Sequence, residues 1–327
     1  MRKKNQAFMG FATLLFLACC LCICKSMPTE VQRQAVNDRP VIGVLTQIVS
    51  DDVMKPFGRT YIPASYVKYL ESGGSRVMPI RWVQLTHTDV EYENIFKKIN
   101  GLLLIGGAVN LETSDFARVA KLFYKLALEA NDAGDVFPIW GTCMGLQLLT
   151  VLVAGKNLLT ETTAENIALP LNLTTEAYSS RIFRDVPPDL IKAVTQEPLT
   201  GNFHHYGVEV KTFMENEDLQ SFFSILSTNV AENGAHFVST IEGKKYPFYG
   251  VQWHPEVNRF QWKSNLNFPH SRHAVQLSSW MAEFFVNEGR RSLHQFDNPE
   301  EEASSLIYSY TPIYAGNFTG YEQIYFF

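Results

Sequence analysis

One cysteine stands apart in this chain. Of five cysteines in 327 residues, Cys19, Cys20, Cys22 and Cys24 crowd the N-terminal end, and Cys143 sits alone in FPIWGTCMGLQ. An apolar run leads into it, Gly141 and Gly145 flank it at i−2 and i+2, and a long apolar run follows. A sharp strand–turn–helix strains the backbone of its central residue and needs small neighbours, which is the nucleophile-elbow arrangement with sulfur replacing oxygen. A helix opening near Met144 would turn free amides and the positive end of its dipole toward the sulfur and favour the thiolate. The expected oxyanion donors are the Met144 N–H and an amide from Gly106 or Gly107, where a glycine lets backbone approach closely. On the residues alone, an interchain bridge and an inert buried thiol stay open as alternatives.

A nucleophilic thiol needs a base, and eight histidines are available. His254 ends the apolar run YPFYGVQW and is followed by Pro255 and Glu256. Residues i and i+2 of an extended chain face one side, so Glu256 can orient the imidazole as the third member of a triad. The plain alternative is a histidine ending a buried strand beside an exposed acid. His87 and His294 lie in polar contexts and read as surface, His270 and His273 show no evident partner, and His236 opens a strand. His204 and His205 are adjacent in TGNFHHYGV, so on a strand they face opposite ways. No carboxylate or cysteine completes a ligand set with them, so no metal is expected, and a substrate contact is the favoured reading.

The elements that must position these residues alternate. Apolar strands are expected in RPVIGVLTQI, SRVMPI, GLLLIGG and VFPIW. Helices are expected in IPASYVKYLESGG, in TDVEYENIFKKIN (on Val90, Ile95 and Phe96) and in SDFARVAKLFYKLALEAND, capped by Ser114 or Asp115. This order predicts an α/β fold with a mostly parallel central sheet flanked by helices, its active site at the carboxyl ends of the strands. Gly106-Gly107 and Gly141-Thr142-Cys143 both fall at such ends. From Thr160 to about Glu217 the pattern weakens to loops or short strands. A strand-rich C-terminal half and a closing helix, SRHAVQLSSWMAEFFVNEGRR, follow. Glu300 to Glu302 read as solvated surface, and the aromatic tail as an edge strand packed on the body, with a subunit contact as the alternative.

Residues 1–24 have a basic start and an apolar stretch from Ala7 to Ile23, the layout of a cleaved secretory signal peptide; an uncleaved anchor is the alternative. Residues 25–38 read as a loose mature N-terminus and 39–327 as a single domain. The mature chain then has one thiol and no expected membrane span. Asn172 and Asn317 begin N-glycosylation triplets. A net charge of −5, with no basic run among aromatics, argues against nucleic acid.

Together, GRTYIPASYVKYLESGG, IGGAVNL, FPIWGTCMGLQ, NFH, YPFYGVQWHPE, AEFFVNE and TPIYAGN resemble the γ-glutamyl hydrolase (folylpoly-γ-glutamate carboxypeptidase) family, whose fold is that of class I glutamine amidotransferases. Glutaminase subunits share only the Gly-Gly, G-x-C-x-G and H-P-E elements. The resemblance implies a cysteine hydrolase of the lysosome or the extracellular space, without cofactor and commonly homodimeric. Its substrates would be folate and antifolate poly-γ-glutamates. It implies Cys143 as nucleophile, His254 as base and acid, Glu256 as orienting carboxylate, and His204, Tyr66 and Gln252 at the substrate site. Where the family often has a glutamate four residues after the cysteine, this chain has Gln147, which removes a negative charge there. Two rival readings are a glutaminase serving a synthetase, opposed by the leader and the lack of a nucleotide motif, and a secreted non-catalytic binding glycoprotein.

Overall fold

The structure, a computed structural model, describes residues 36–81 and 88–327. The expected signal peptide, most of the N-terminal segment after it, and His87 lie outside the described residues. Among the described residues fourteen strands are formed: β1 Val41–Leu45, β2 Gln47–Ile48, β3 Thr60–Pro63, β4 Arg76–Ile80, β5 Leu102–Leu104, β6 Ile139–Thr142, β7 Thr160–Leu169, β8 Asn172–Leu173, β9 Thr200–Gly207, β10 Phe223–Val230, β11 His236–Gly243, β12 Phe248–Val251, β13 Ile313–Tyr314 and β14 Gln323–Phe326. The helices used below are α1 Ala64–Ser72, α2 Asp89–Phe96, α3 Asp115–Asp132, α4 Met144–Ala154, α5 Pro188–Gln196, α6 Val257–Phe260, α7 Arg272–Gly289 and α8 Pro299–Ser305.

The main sheet has eight strands in the order β4-β1-β5-β6-β12-β11-β10-β8. The five from β4 to β12 run parallel, and β11, β10 and β8 continue it antiparallel. The expected architecture is therefore present, with β6 and β12, the strands that lead to Cys143 and His254, side by side in its middle. Both faces are covered. Val41, Leu45, Leu102 and Leu104 enter one core layer with Phe123 and Leu149. Ile42, Val44 and Leu103 enter the other with Leu70, Trp140 and Phe285. Alternate side chains of a strand point to opposite faces, so a strand apolar at every position fits a sheet buried on both sides. Helix α3 buries Phe116, Val119, Ala120, Phe123 and Ala127, a stripe at three- and four-residue spacing, and Ser114 caps it by accepting from Ala117 N–H.

Several sequence expectations are corrected. In α2 Phe96 is buried as expected and Ile95 is partly buried, but the other inward residue is Tyr92, whereas Val90 is 61% exposed. The strand expected at VFPIW begins at Ile139 and runs through Gly141 and Thr142. The region from Thr160 is not loosely ordered: β7 is ten residues long and pairs with β9 in a separate two-stranded sheet, and α5 lies between them. Arg272–Gly289 is the expected helix but does not close the chain, because α8 follows. Glu301 and Glu302 are not merely solvated. They stand in the first turn of α8, capped by Asn298, and pair with Lys98 and Arg76. Finally, β14 is an inner strand, between β13 and β3 of a four-stranded sheet.

Candidate active site

Cys143 is the N-cap of α4, with φ 53° and ψ −110°. A side chain at positive φ carries steric strain of about 1–3 kcal/mol, held in place by surrounding structure. Part of what holds it is a hydrogen bond from its own N–H to Val251 O of β12, 2.7 Å. The flanking glycines are needed for close approach. A Cβ on Gly145 would lie 2.1 Å from Leu104 O, and one on Gly141 would lie 2.4 Å from the Gly145 carbonyl carbon. The elbow is thus a place where a helix start rests directly on two strands, leaving the thiol 6% exposed at the carboxyl edge of the sheet.

His254 follows the end of β12, the strand paired with β6 at Val251↔Thr142. Its Nδ1 lies 2.8 Å from Glu256 Oε1, and Glu256 is 2% exposed. The i,i+2 reading of the pair is what the structure contains, although the carboxylate now heads α6. Burial of the ring drives the imidazole pKa down. The opposing charge of Glu256, and then that of Cys143 with its hydrogen bond, outweigh burial and hold it well above its usual value. The tyrosine hydroxyl of Tyr66, from α1, lies 3.4 Å from His254 Nδ1. Burial first, then the Glu256 charge, raise its pKa well above 10, so it stays protonated.

Gly106 was expected as an oxyanion donor, but its N–H is engaged by the Tyr66 hydroxyl at 3.0 Å. Its glycine serves space instead, since a Cβ there would approach His254 Cε1 and Tyr66 Oη at 3.0 Å each. Gly107 and Met144 line a cavity of about 490 Å³ together with Cys143, Gln147, Phe203 and His204. His204 is 5% exposed, and neither ring nitrogen meets a hydrogen-bonding partner. Burial, then the charge on His254, lower its pKa to about 3, with the Tyr206 backbone a weak counter-pull. It is a neutral ring at the cavity wall, packed edge-on to Phe237 with ring centres 4.9 Å apart. His205 is exposed, 3.6 Å from Glu165, and also borders the cavity. Gln252, expected on the substrate wall, is wholly buried. Its Nε2 lies 3.6 Å from Cys143 Sγ.

Three of the other histidines have partners that the sequence did not show. His273 lies 2.8 Å from Glu197. His270 Nδ1 faces Asn258 O at 3.0 Å, with its ring stacked on Trp262. His294, read as surface, has a side chain only 10% exposed and faces Phe96 O and Ile99 O. The sequence reading also missed two aromatic residues. Phe203 packs edge-on to His254 with ring centres 5.8 Å apart. Tyr321, from the tail, lies within the field of Glu256 and Cys143, and burial keeps its hydroxyl protonated. Only the aromatic richness of the tail could have pointed there. Among the described residues, no cluster of three or more His, Cys, Asp or Glu could hold a metal ion.

A buried thiol beside an imidazole, itself held by a buried carboxylate, is chemically equipped for acyl transfer. The chain also resembles known proteins along its sequence. Residues 40–256 match the family described as Peptidase C26. The gamma-glutamyl hydrolase of Homo sapiens is 46% identical over 94% of this chain and 98% of its own length. That of Mus musculus is 48% identical over 89% of this chain and 90% of its own. Gamma-glutamyl hydrolase B of Dictyostelium discoideum is 42% identical, over 89% and 84%. The chain belongs to the Peptidase C26 family. Its fold extends further: the glutaminase domain of Trypanosoma brucei CTPS, with bound acivicin, superposes at a TM-score of 0.50 and 13% identity, over 77% of this chain and 94% of that one. Such a likeness speaks for the fold of the family member described here, the class I glutamine amidotransferase fold, and for nothing beyond it.

Proposed function

We propose that this chain hydrolyses the γ-glutamyl amide bonds of folate and antifolate poly-γ-glutamates through a thioester on Cys143. The observation that carries the reading is the Cys143–His254–Glu256 constellation at the head of β6 and β12, in a chain about half identical to gamma-glutamyl hydrolases along nearly its whole length. A γ-glutamyl amide has the same acyl group as glutamine, so a glutaminase-type site suits it.

In the first half-reaction His254 takes the thiol proton, and the sulfur attacks the γ-carbonyl carbon. The developing oxyanion is met by the Met144 N–H, one of the free amides opening α4, and by the Gly107 N–H. His254 returns the proton to the leaving nitrogen, and the C–N bond breaks. Water, deprotonated by the same ring, then attacks the thioester; the C–S bond breaks and the electron pair returns to sulfur. Glu256 holds the ring by Nδ1 throughout, so its other nitrogen is presented to the reacting atoms. His204 offers the substrate a neutral donor and acceptor, and Tyr66 and Gln147 complete the surroundings. No cofactor is assigned a part.

We further assign the chain to the lysosome and the extracellular space as a glycoprotein and homodimer. The leader-like segment supports the secretory route, and so do the two sequons, whose Asn172 and Asn317 are both exposed. No helix among the described residues is long and apolar enough to cross a membrane. The test is product analysis with a pteroyl poly-γ-glutamate of known length. The parent releases glutamate or γ-linked glutamate chains, Cys143→Ala releases none while keeping its circular dichroism, and His254→Asn slows release by about 10²–10⁴-fold. Release by folded Cys143→Ala would end the reading. Ammonia from free glutamine as the main product would favour a glutaminase, and binding without turnover a carrier glycoprotein.

A further inference from the structure

Two glutamines beneath the thiol are tied to each other. Gln147, in the first turns of α4 and 7% exposed, donates through Nε2 to the Tyr206 carbonyl at 2.7 Å. The same nitrogen donates to Gln252 Oε1 at 3.2 Å. Gln252 is wholly buried and its Nε2 donates to Cys143 Sγ at 3.6 Å. A terminal amide can be seated either way round, with its NH₂ or its oxygen forward. Here the choice is made at the far end. A backbone carbonyl only accepts, so Tyr206 requires the NH₂ of Gln147. The second hydrogen of that NH₂ engages the oxygen of Gln252, which leaves the NH₂ of Gln252 to face the sulfur.

We propose that Gln252 is a catalytic residue that hydrogen-bonds the Cys143 thiolate, and that Gln147 is the positioning residue that fixes its amide orientation from the Tyr206 carbonyl. This rests on Cys143 being the nucleophile. A thiolate 6% exposed is denied most of the water that would solvate it, and a donor to an anion is about twice as strong as one between neutral groups. The amide carries no charge of its own, so it stabilises sulfur without competing with His254 for a proton. It acts twice, on the attacking thiolate and again when sulfur leaves the thioester as an anion. Reversed, Gln252 would aim a carbonyl oxygen at that anion. A glutamate at 147 has no hydrogen for Tyr206 or for Gln252 and would release the amide to turn.

The test reads the rate of Cys143 alkylation by iodoacetamide across about pH 4 to 9, with kcat and KM for γ-glutamyl cleavage on the same preparations. In Gln252→Leu and Gln252→Met, which lack the donor, the midpoint of the alkylation profile rises by about one pH unit and kcat falls about tenfold, with KM little changed. Gln147→Glu shifts the midpoint the same way. Gln147→Leu shifts it in the parent but adds nothing in a Gln252→Leu background, as expected when one residue acts only through the other. An unmoved midpoint in a folded Gln252 variant overturns the proposal. So does a full Gln147→Leu effect in the Gln252→Leu background, or a raised KM with an unmoved profile, which would make the glutamines substrate contacts. Should neither Gln252 variant fold, Gln147→Glu at the cavity wall decides, an unmoved midpoint again overturning it. Failure of the underlying reading looks different: cleavage by the parent would survive complete alkylation.

Discussion

Replacing Gly145 by alanine should separate catalysis from folding. A Cβ at 145 would sit 2.1 Å from Leu104 O, whereas ordinary contact begins at 3.4 Å. The Cβ has no torsion to escape by and the atom it meets is backbone, so α4 must part from β5 by about 1.3 Å. The start of α4 carries Cys143, so the sulfur moves by a similar amount relative to His254. A misplacement of about 1 Å costs on the order of 10²-fold in rate. Stability suffers less. Overpacking costs about 1–3 kcal/mol, and alanine recovers about 1 kcal/mol over glycine within a helix. The net loss is roughly 0–2 kcal/mol, a few degrees in melting temperature at this size. The assay is kcat for γ-glutamyl release beside a thermal melt. Gly155→Ala is the control: it places a Cβ at φ 68° in open space, so it should lose stability with kcat intact. A folded Gly145→Ala enzyme with kcat within about twofold of the parent would refute the claim that the elbow is set by backbone contact.

Strain at the nucleophile should be visible in its absence: Cys143→Gly melts above Cys143→Ala, by about 1 kcal/mol in unfolding free energy, because only glycine accepts φ 53° without strain. Equal or reversed midpoints would contradict it. Glu256→Gln removes the charge that most raises the His254 pKa against burial; the alkaline limb of kcat/KM should then move to lower pH. In the parent, the stability linked to His254 is complete below its unfolded pKa of about 6.5 and fades as pH climbs through the raised folded value. His204 has the opposite sign. Lowered to about 3, it stays neutral while the unfolded chain protonates, so acid unfolding from about pH 6.5 downward is steepened by up to about 1.4 kcal/mol per pH unit. His204→Gln should flatten that slope in denaturant melts at several pH values.

The central strands and the elbow were legible because they depend on local pattern: consecutive apolar residues, a glycine-flanked cysteine and a histidine two residues from a glutamate. What failed to show was long-range or irregular. Strand β7 is largely polar, with two register shifts against β9 and a positive φ at Asn166, so no periodicity announces it. The pairing of Glu302 with Arg76 spans 226 residues of sequence, and His294 meets Phe96 O across 198. No spacing rule reaches that far. The engagement of the Gly106 N–H follows from where α1 packs, and the orientation of Gln252 follows from a carbonyl on β9. Each is set by tertiary packing, whereas the Cys143 elbow and the His254–Glu256 pair rest on residue types at short spacing.

Sulfur and imidazole meet through the pairing of β6 with β12, strands about a hundred residues apart in the chain. A ribosome-bound fragment that stops before Val251 therefore has a thiol without its base, and synthesis yields a latent protein until late in translation. A split version cut between the two strands would regain turnover only on reassembly, which makes peptide release a reporter of that last docking step.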